Sequence, residues 1–466
     1  MRLPMALLLA ARAALAAPPE EFVPGHVVVR WRSVAVAVAG ARLERRLDER
    51  THLLRAADAS AAATGALVAR LAALPGVEWA EREHVRRRSD TVVANDPLFQ
   101  QQWALDLARI PAAWSRTEGS PTVVVAVVDS GIRPHPDLET RTLPGYDMVS
   151  DPISAGDGDG RDADPTDEGT PDDASSGLHG LHVAGILGAH TDNALGIAGV
   201  DWNCRLLPVR VLGVQGGRGT DSDIADGIRW AAGIPVDGVP PNPTPAQVIN
   251  LSFGGPGLSA LLQAAVDDAS SVGAIIVAAA GNDGADTATY APAALTHVIA
   301  VGAATDTGAL ASYSNVGSRV DLLAPGGDVT TGLQHGILST LWVTGEGYTY
   351  VALNGTSQAA PHVSGVASLM KALDPNLTSD AARSILVSTA DPVHRCEAGC
   401  GGGLLDADAA VAAVALTCND GHCAWIGHSV IGGCAIGGRP ARGFGSAALL
   451  AASLLVIVLH RRRRAV

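Results

Sequence analysis

The chain has 466 residues, 47% of them hydrophobic and 17% charged, with a formal net charge of −14. That is ample for a large buried core, and the length corresponds to one main domain with accessory segments. The acidity, with no basic stripe interleaved with aromatics, argues against nucleic acid as a partner.

The chain opens on Arg2, the apolar run Leu3 to Ala10 and the small-residue ending Ala14-Leu15-Ala16-Ala17. This pattern predicts a secretory signal peptide over residues 1–17, and therefore export, because so short a run cannot span a bilayer and remain there. Residues 18–90 read as a small domain with a strand, an Arg- and Ala-rich helix and the ending Leu74-Pro75-Gly76-Val77-Glu78-Trp79, followed by the cleavable Arg86-Arg87-Arg88.

From about residue 95 to 416 the pattern becomes alternating. Apolar, β-branched runs (Val123 to Val128, Leu206 to Val211, Val248 to Ser252, Ile275 to Ala280, Val298 to Val301) are separated by helical stretches such as Thr220 to Ala232, Leu258 to Val272 and Ala359 to Leu373. Alternation of this kind predicts an α/β domain with a largely parallel β-sheet flanked by helices. In such sheets the reactive groups stand where strands end and helices begin. Asp129 ends the first run, Asn282 follows the fourth, His179 precedes the Gly- and Ala-rich run Val183 to Ala189, and Ser357 opens the last helix. The acidic stretch Asp151 to Asp173 reads as a solvated insertion loop; its Asp157 to Asp164 portion has a calcium-loop flavour without the spacing of an EF-hand.

Six cysteines follow: Cys204 within the domain, then Cys396, Cys400, Cys418, Cys423 and Cys434. Export makes disulfides plausible, and the four from Cys396 to Cys423 are expected to form two bridges, in any of three connectivities. Residues 417–434 form a Cys-rich linker. Residues 435–466 end in the apolar Ala447 to Leu459 and Arg461-Arg462-Arg463-Arg464, a run of about 13 residues that is short for a stable span and suits transient membrane anchoring.

Three segments carry a resemblance. Val127-Val128-Asp129-Ser130-Gly131, His179-Gly180-Leu181-His182-Val183-Ala184-Gly185 and Asn354-Gly355-Thr356-Ser357 place Asp, His and Ser in the chain order of subtilisins, whereas chymotrypsin-like and α/β-hydrolase chains use other orders. The chain resembles the subtilisin-like serine proteases (subtilases) of the thermitase-like bacterial extracellular type. The resemblance implies a subtilisin-like fold, protein or peptide substrates, and Ser357 as nucleophile, His179 as general base and Asp129 as its orienting carboxylate. Asn282, in Ala280-Gly281-Asn282, would supply an oxyanion-hole amide. Ser252, Phe253 and Gly254 would line the cleft and pair with extended substrate, and Tyr290 falls near the base of the specificity pocket.

The same resemblance makes residues 18–90 a small α+β inhibitory propeptide domain, and so a partner of the domain it precedes. It implies structural calcium (Ca2+) held by Asp96, Asp137 and Asn193, with carbonyls of His190, Leu195 and Ile197. The tail resembles a myxobacterial-type C-terminal sorting signal, with Cys434 as lipid-attachment site, a plain anchor or a bonded cysteine as alternatives. Two positions depart from the family pattern: Leu181 stands where Thr is usual and Gln358 where Met is usual. Gln358 implies tolerance of peroxide, having no thioether to oxidise. The two departures leave a second reading open, a catalytically weak surface protein that binds peptides.

Overall fold

The computed structural model describes residues 22–33, 38–58, 60–84, 92–169, 178–343, 347–394, 396, 399–415, 418–419 and 422–423. The chain divides into two units, residues 1–415 and 416–466. The expected signal peptide, Arg86-Arg87-Arg88, Cys434 and the apolar tail lie outside the described residues. Among those described, no helix is long and apolar enough to cross a membrane.

In the first strand, side chains alternate between faces: Val27, Val29 and Trp31 are buried while His26, Val28 and Arg30 are half-buried. Four antiparallel strands, β1 (Phe22–Trp31), β2 (Ala41–Arg46), β3 (Thr51–Ala56) and β4 (Val77–His84), pair in the order β2-β3-β1-β4. One helix, α1 (Ala61–Ala72), is capped by Ser60 and packs Leu67 and Leu71, one turn apart, against the buried valines. Residues 22–84 are thus a small α+β layer pair.

The following residues build a seven-stranded sheet. Its strands are β5 (Val124–Asp129), β6 (Tyr146–Asp147), β7 (Arg205–Arg210), β8 (Val248–Leu251), β9 (Ile275–Ala279), β10 (Val298–Ala304) and β11 (Leu322–Pro325), in the order β11-β10-β9-β8-β5-β7-β6, every pairing parallel. Both faces are covered, which is why β5 reads as an unbroken apolar run. Val125 and Val127 join a core with α2 (His179–Gly188) and α3 (Thr356–Leu373); Val124, Ala126 and Val128 join the opposite core with α4 (Asp221–Ala231) and α5 (Ala260–Ser271). Strand order reverses at β5, whose neighbours are β7 and β8, so the crevice of a doubly wound sheet opens at its carboxyl end.

Several sequence expectations shift. The segment 102–114 holds two short helices whose Leu105, Ile110 and Trp114 are buried. A two-stranded hairpin, β12 (Ile337–Val343) with β13 (Gly347–Leu353), was not legible as such; it delivers the chain to Ser357. The acidic insertion is less solvated than its composition suggests, with Ala155 and Asp167 buried. Of the cysteines, Cys396 and Cys400 are bonded to each other, while Cys204 is free and buried. Cys418 and Cys423 face each other across a short antiparallel pair.

Candidate active site

β5 carries Asp129 to the sheet edge with its carboxylate fully buried. Oδ1 accepts from the Ser130 backbone N–H at 2.7 Å and pairs with His179 Nδ1 at 2.8 Å. With Nδ1 held by a carboxylate, the neutral ring keeps its proton on that atom and presents Nε2 as the base. Burial of the imidazole opposes its charged form, but the Asp129 charge and hydrogen bond, with Asp167 adding, raise its pKa above the ordinary value. His182, one turn position further on, is no second base: it is buried, held at about 3, and its Nε2 meets the Val351 carbonyl.

Ser357 sits in the first turn of α3, half-buried. Its hydroxyl donates to the Ser252 carbonyl at 2.7 Å, and the Ser252 hydroxyl donates to the Ser357 carbonyl at 2.9 Å. This clasp has a sequence cause. Pro361 lies four residues beyond Ser357 and has no N–H to bond that carbonyl, so it is free for a side-chain donor. Asn250 and Ser364 extend the buried network behind it. Because β5 and β8 run side by side to Val128 and Leu251, the Asp129–His179 pair and the Ser252–Ser357 pair meet at one sheet edge.

Asn282 is exposed, and its Oδ1 accepts from both the backbone N–H and the hydroxyl of Thr356, at 2.8 and 2.9 Å. Both acceptor positions are thereby used, and Nδ2 is left as a donor beside Gly355 and the Ser357 helix start. Gly281 before it has φ +108°, and a Cβ there would lie 2.3 Å from Asn315 Nδ2. If Asn282 holds the oxyanion-donor role the resemblance implies, Asn282→Leu is expected to lower kcat about 10²–10³-fold with KM little changed; steady-state kinetics on a peptide anilide checks it.

The cleft segment follows β8: Ser252 is buried, Phe253 half-buried against the core and Gly254 exposed. Tyr290 stands between this segment and Gly281, its ring 2.9 Å from where a Cβ on Gly254 would be and 2.7 Å from one on Gly281. Burial and the neighbouring Asp283 push its phenol up to about 12, so it is uncharged.

The three residues expected to hold a cation also converge. Asp137 is fully buried: Oδ1 meets Asn193 Nδ2 at 3.0 Å, and Oδ2 accepts from the Ile197 N–H at 3.1 Å and the Tyr350 hydroxyl at 3.2 Å. Asp96 accepts from the N–H groups of Asp192 and Asn193. Burial pushes Asp137 up to about 6, against its hydrogen bonds and with Asp96 adding. Among the described residues no group of three or more His, Cys, Asp or Glu converges; the two buried carboxylates suit a hard cation, while Asn193 turns its Nδ2 to Asp137 and its Oδ1 accepts from the Leu195 N–H at 2.8 Å.

Both departures from the family pattern are buried. Leu181 is buried in the core with its carbonyl bonded by Thr340 Oγ1, and Gln358 is buried with its carbonyl near His362 Nδ1 at 2.8 Å. Sequence reasoning missed Thr356, Asn250, Ser364, Pro361 and Asp167; only Pro361 left a signal, as a proline inside a helical run.

A model of the Subtilase family matches residues 120–412. The chain is 42% identical over 376 residues to an "Extracellular protease" of Xanthomonas campestris pv. campestris, covering 77% of this chain and 63% of that one. It is 42% identical over 370 residues to an "Extracellular basic protease" of Dichelobacter nodosus, 74% of this chain and 59% of that one. The chain therefore spans less than two thirds of the length of these two relatives. A solved structure described as proteases from Pseudoalteromonas arctica PAMC 21717 superposes with a TM-score of 0.65 at 45% identity, over 69% of this chain and 99% of that one.

Proposed function

The chain belongs to the subtilase family, with the subtilisin-like α/β fold, and from that premise we propose that it is an exported serine endopeptidase acting on protein or peptide substrates through Asp129, His179 and Ser357. The observation that carries this reading is the 2.8 Å bond from a buried carboxylate to an imidazole whose other nitrogen is free to serve a serine on the adjacent strand-and-helix edge. In the first step His179 Nε2 takes the Ser357 hydroxyl proton as Oγ attacks the scissile carbonyl. The oxyanion is held by Asn282 Nδ2 and the N–H groups at the start of α3. His179 then returns the proton to the leaving amine, and water releases the acyl group by the same route. Substrate backbone adds as a strand beside Ser252 to Gly254.

Extracellular relatives and the N-terminal sequence support export; the α+β layer pair of residues 22–84 supports a propeptide that is removed by self-processing. A fluorophosphonate should add its mass to the Ser357 peptide alone, and the purified precursor should lose the segment before about Asp96 while Ser357→Ala stays whole. A precursor that neither labels nor processes overturns the reading.

Calcium would be held by Asp96, Asp137 and Asn193, where it would neutralise buried carboxylates and tie residues 92–102 to the 192–197 loop; it has no place in the chemical step. A raised folded-state pKa means that the metal-free fold gains from Asp137 protonation below about pH 4 and loses that gain as pH rises through about 6. In the Ser357→Ala background at pH 8, calcium is expected to raise Tm by about 5–10 °C, and Asp137→Asn to abolish most of that rise. Scanning calorimetry with calcium or chelator checks it.

A further inference from the structure

A second buried carboxyl group stands behind the catalytic one. Asp167, from the acidic insertion, is 3% exposed. Its Oδ2 accepts from the Ser130 hydroxyl at 2.5 Å and its Oδ1 from the Gly169 N–H at 2.8 Å. The same Ser130 oxygen accepts the Gly180 N–H at 3.0 Å, in the residue after His179, while the Ser130 N–H holds Asp129 Oδ1. Ser130 thus touches the carboxylate on one side and the imidazole-bearing helix on the other, and Asp167 is what orients its hydroxyl.

The insertion is pressed onto this junction. Ile132 donates to the Pro165 carbonyl, and a Cβ on Gly131 (φ +104°) would fall 2.3 Å from that oxygen. A Cβ on Gly180 would in turn fall 2.2 Å from the Gly131 carbonyl. No side chain fits at either glycine, so the insertion, the end of β5 and the start of α2 pack backbone against backbone.

Resting on the protease reading above, we propose that Asp167 is a positioning residue of the active site: through Ser130 it fixes Asp129 and the first turn of α2, and its negative charge strengthens His179 as a base. The charged groups facing it are Asp129 at the end of β5, His179 on α2 and Arg210 on β7, with Arg133 donating to its backbone carbonyl and pairing with Glu168 next to it. Burial pushes Asp167 up to about 7, with its hydrogen bonds and Arg210 opposing and Asp129 adding, so it is anionic at mildly alkaline pH.

Asp167→Asn keeps an acceptor for Ser130 but removes the charge; Asp167→Ala removes both. In Asp167→Asn the acid limb of kcat/KM should move down by about half to one pH unit, because a lost anion near the imidazole destabilises its protonated form. Asp167→Ala should show that shift and a further fall in kcat of about 10-fold, from loosened orientation. In the Ser357→Ala background, NMR titration of the His179 ring should fall by the same amount, a readout that needs no turnover. An acid limb and a ring midpoint both unchanged within about 0.2 pH unit in Asp167→Asn overturn the proposal, and that variant decides the matter if Asp167→Ala does not fold. A parent chain inert to fluorophosphonate and to peptides would defeat the protease reading instead, and the NMR midpoints would still report on Asp167.

Discussion

Asp129→Asn is expected to lower kcat about 10⁴-fold while KM stays within a few-fold. The cause is electrostatic. Asp129 Oδ1 accepts from the ring nitrogen at 2.8 Å and from the Ser130 N–H at 2.7 Å, and the carboxylate has no exposure to water that could substitute for it. An amide there keeps its oxygen facing the Ser130 N–H and the ring N–H, which share that one acceptor, and turns its NH₂ to the position of Oδ2, which has no hydrogen-bond partner. The anion that supports the imidazolium also disappears. Since the Asp129 charge and bond are what raise the His179 pKa against burial, the residual activity should persist to lower pH than in the parent. Measuring kcat/KM from pH 5 to 10 tests both parts. A variant within about 10-fold of the parent would show that the imidazole is oriented by something other than this carboxylate.

Ser357→Ala has the largest expected effect, a loss in kcat of about 10⁶-fold, with about 10³–10⁴-fold acceleration over water remaining from the oxyanion donors and substrate binding. The methyl group leaves the Ser252 carbonyl without its hydroxyl donor, but the reciprocal bond from Ser252 Oγ to the Ser357 carbonyl is untouched, so the helix start should hold its place. Folding and substrate KM should therefore be close to those of the parent, and substrate should bind uncut. Active-site titration with a fluorophosphonate, together with a thermal melt, separates loss of the nucleophile from loss of the fold. Combining Ser357→Ala with Asp129→Asn should cost little more than Ser357→Ala alone, because the residues act as one unit.

The parallel sheet was legible because a strand buried on both faces must be apolar at every position, as Val124 to Val128 are. The positions of Asp129 and Asn282 could be read because they follow such runs, and those of His179 and Ser357 because they stand where helical runs begin. The hairpin β12–β13 was not legible: Thr340 and Tyr350 carry hydroxyls whose partners, the Leu181 carbonyl and the Asp137 carboxylate, lie far away in sequence. The acidic insertion misled for a similar reason. Composition marks Asp151 to Asp173 as solvated, and most of its carboxylates are, but Asp167 is buried because Ser130 offers it a hydroxyl and Gly131 leaves room for the backbone that carries it.

By itself the sequence determined the periodicity, hence the alternating elements, and the order of the residues proposed to react, because these depend on local propensity and on residue type. Tertiary structure alone decided which of them touch. The Asp129–His179 bond, the reciprocal clasp of Ser252 with Ser357, the wedge of Tyr290 between Gly254 and Gly281, and the second carboxyl behind the first join residues 37 to 105 positions apart where their hydrogen bonds are concerned. Such contacts exist only once the sheet order reverses at β5 and brings separate strand ends into one crevice. Low local dielectric there makes each polar partner matter more than its residue type alone reveals.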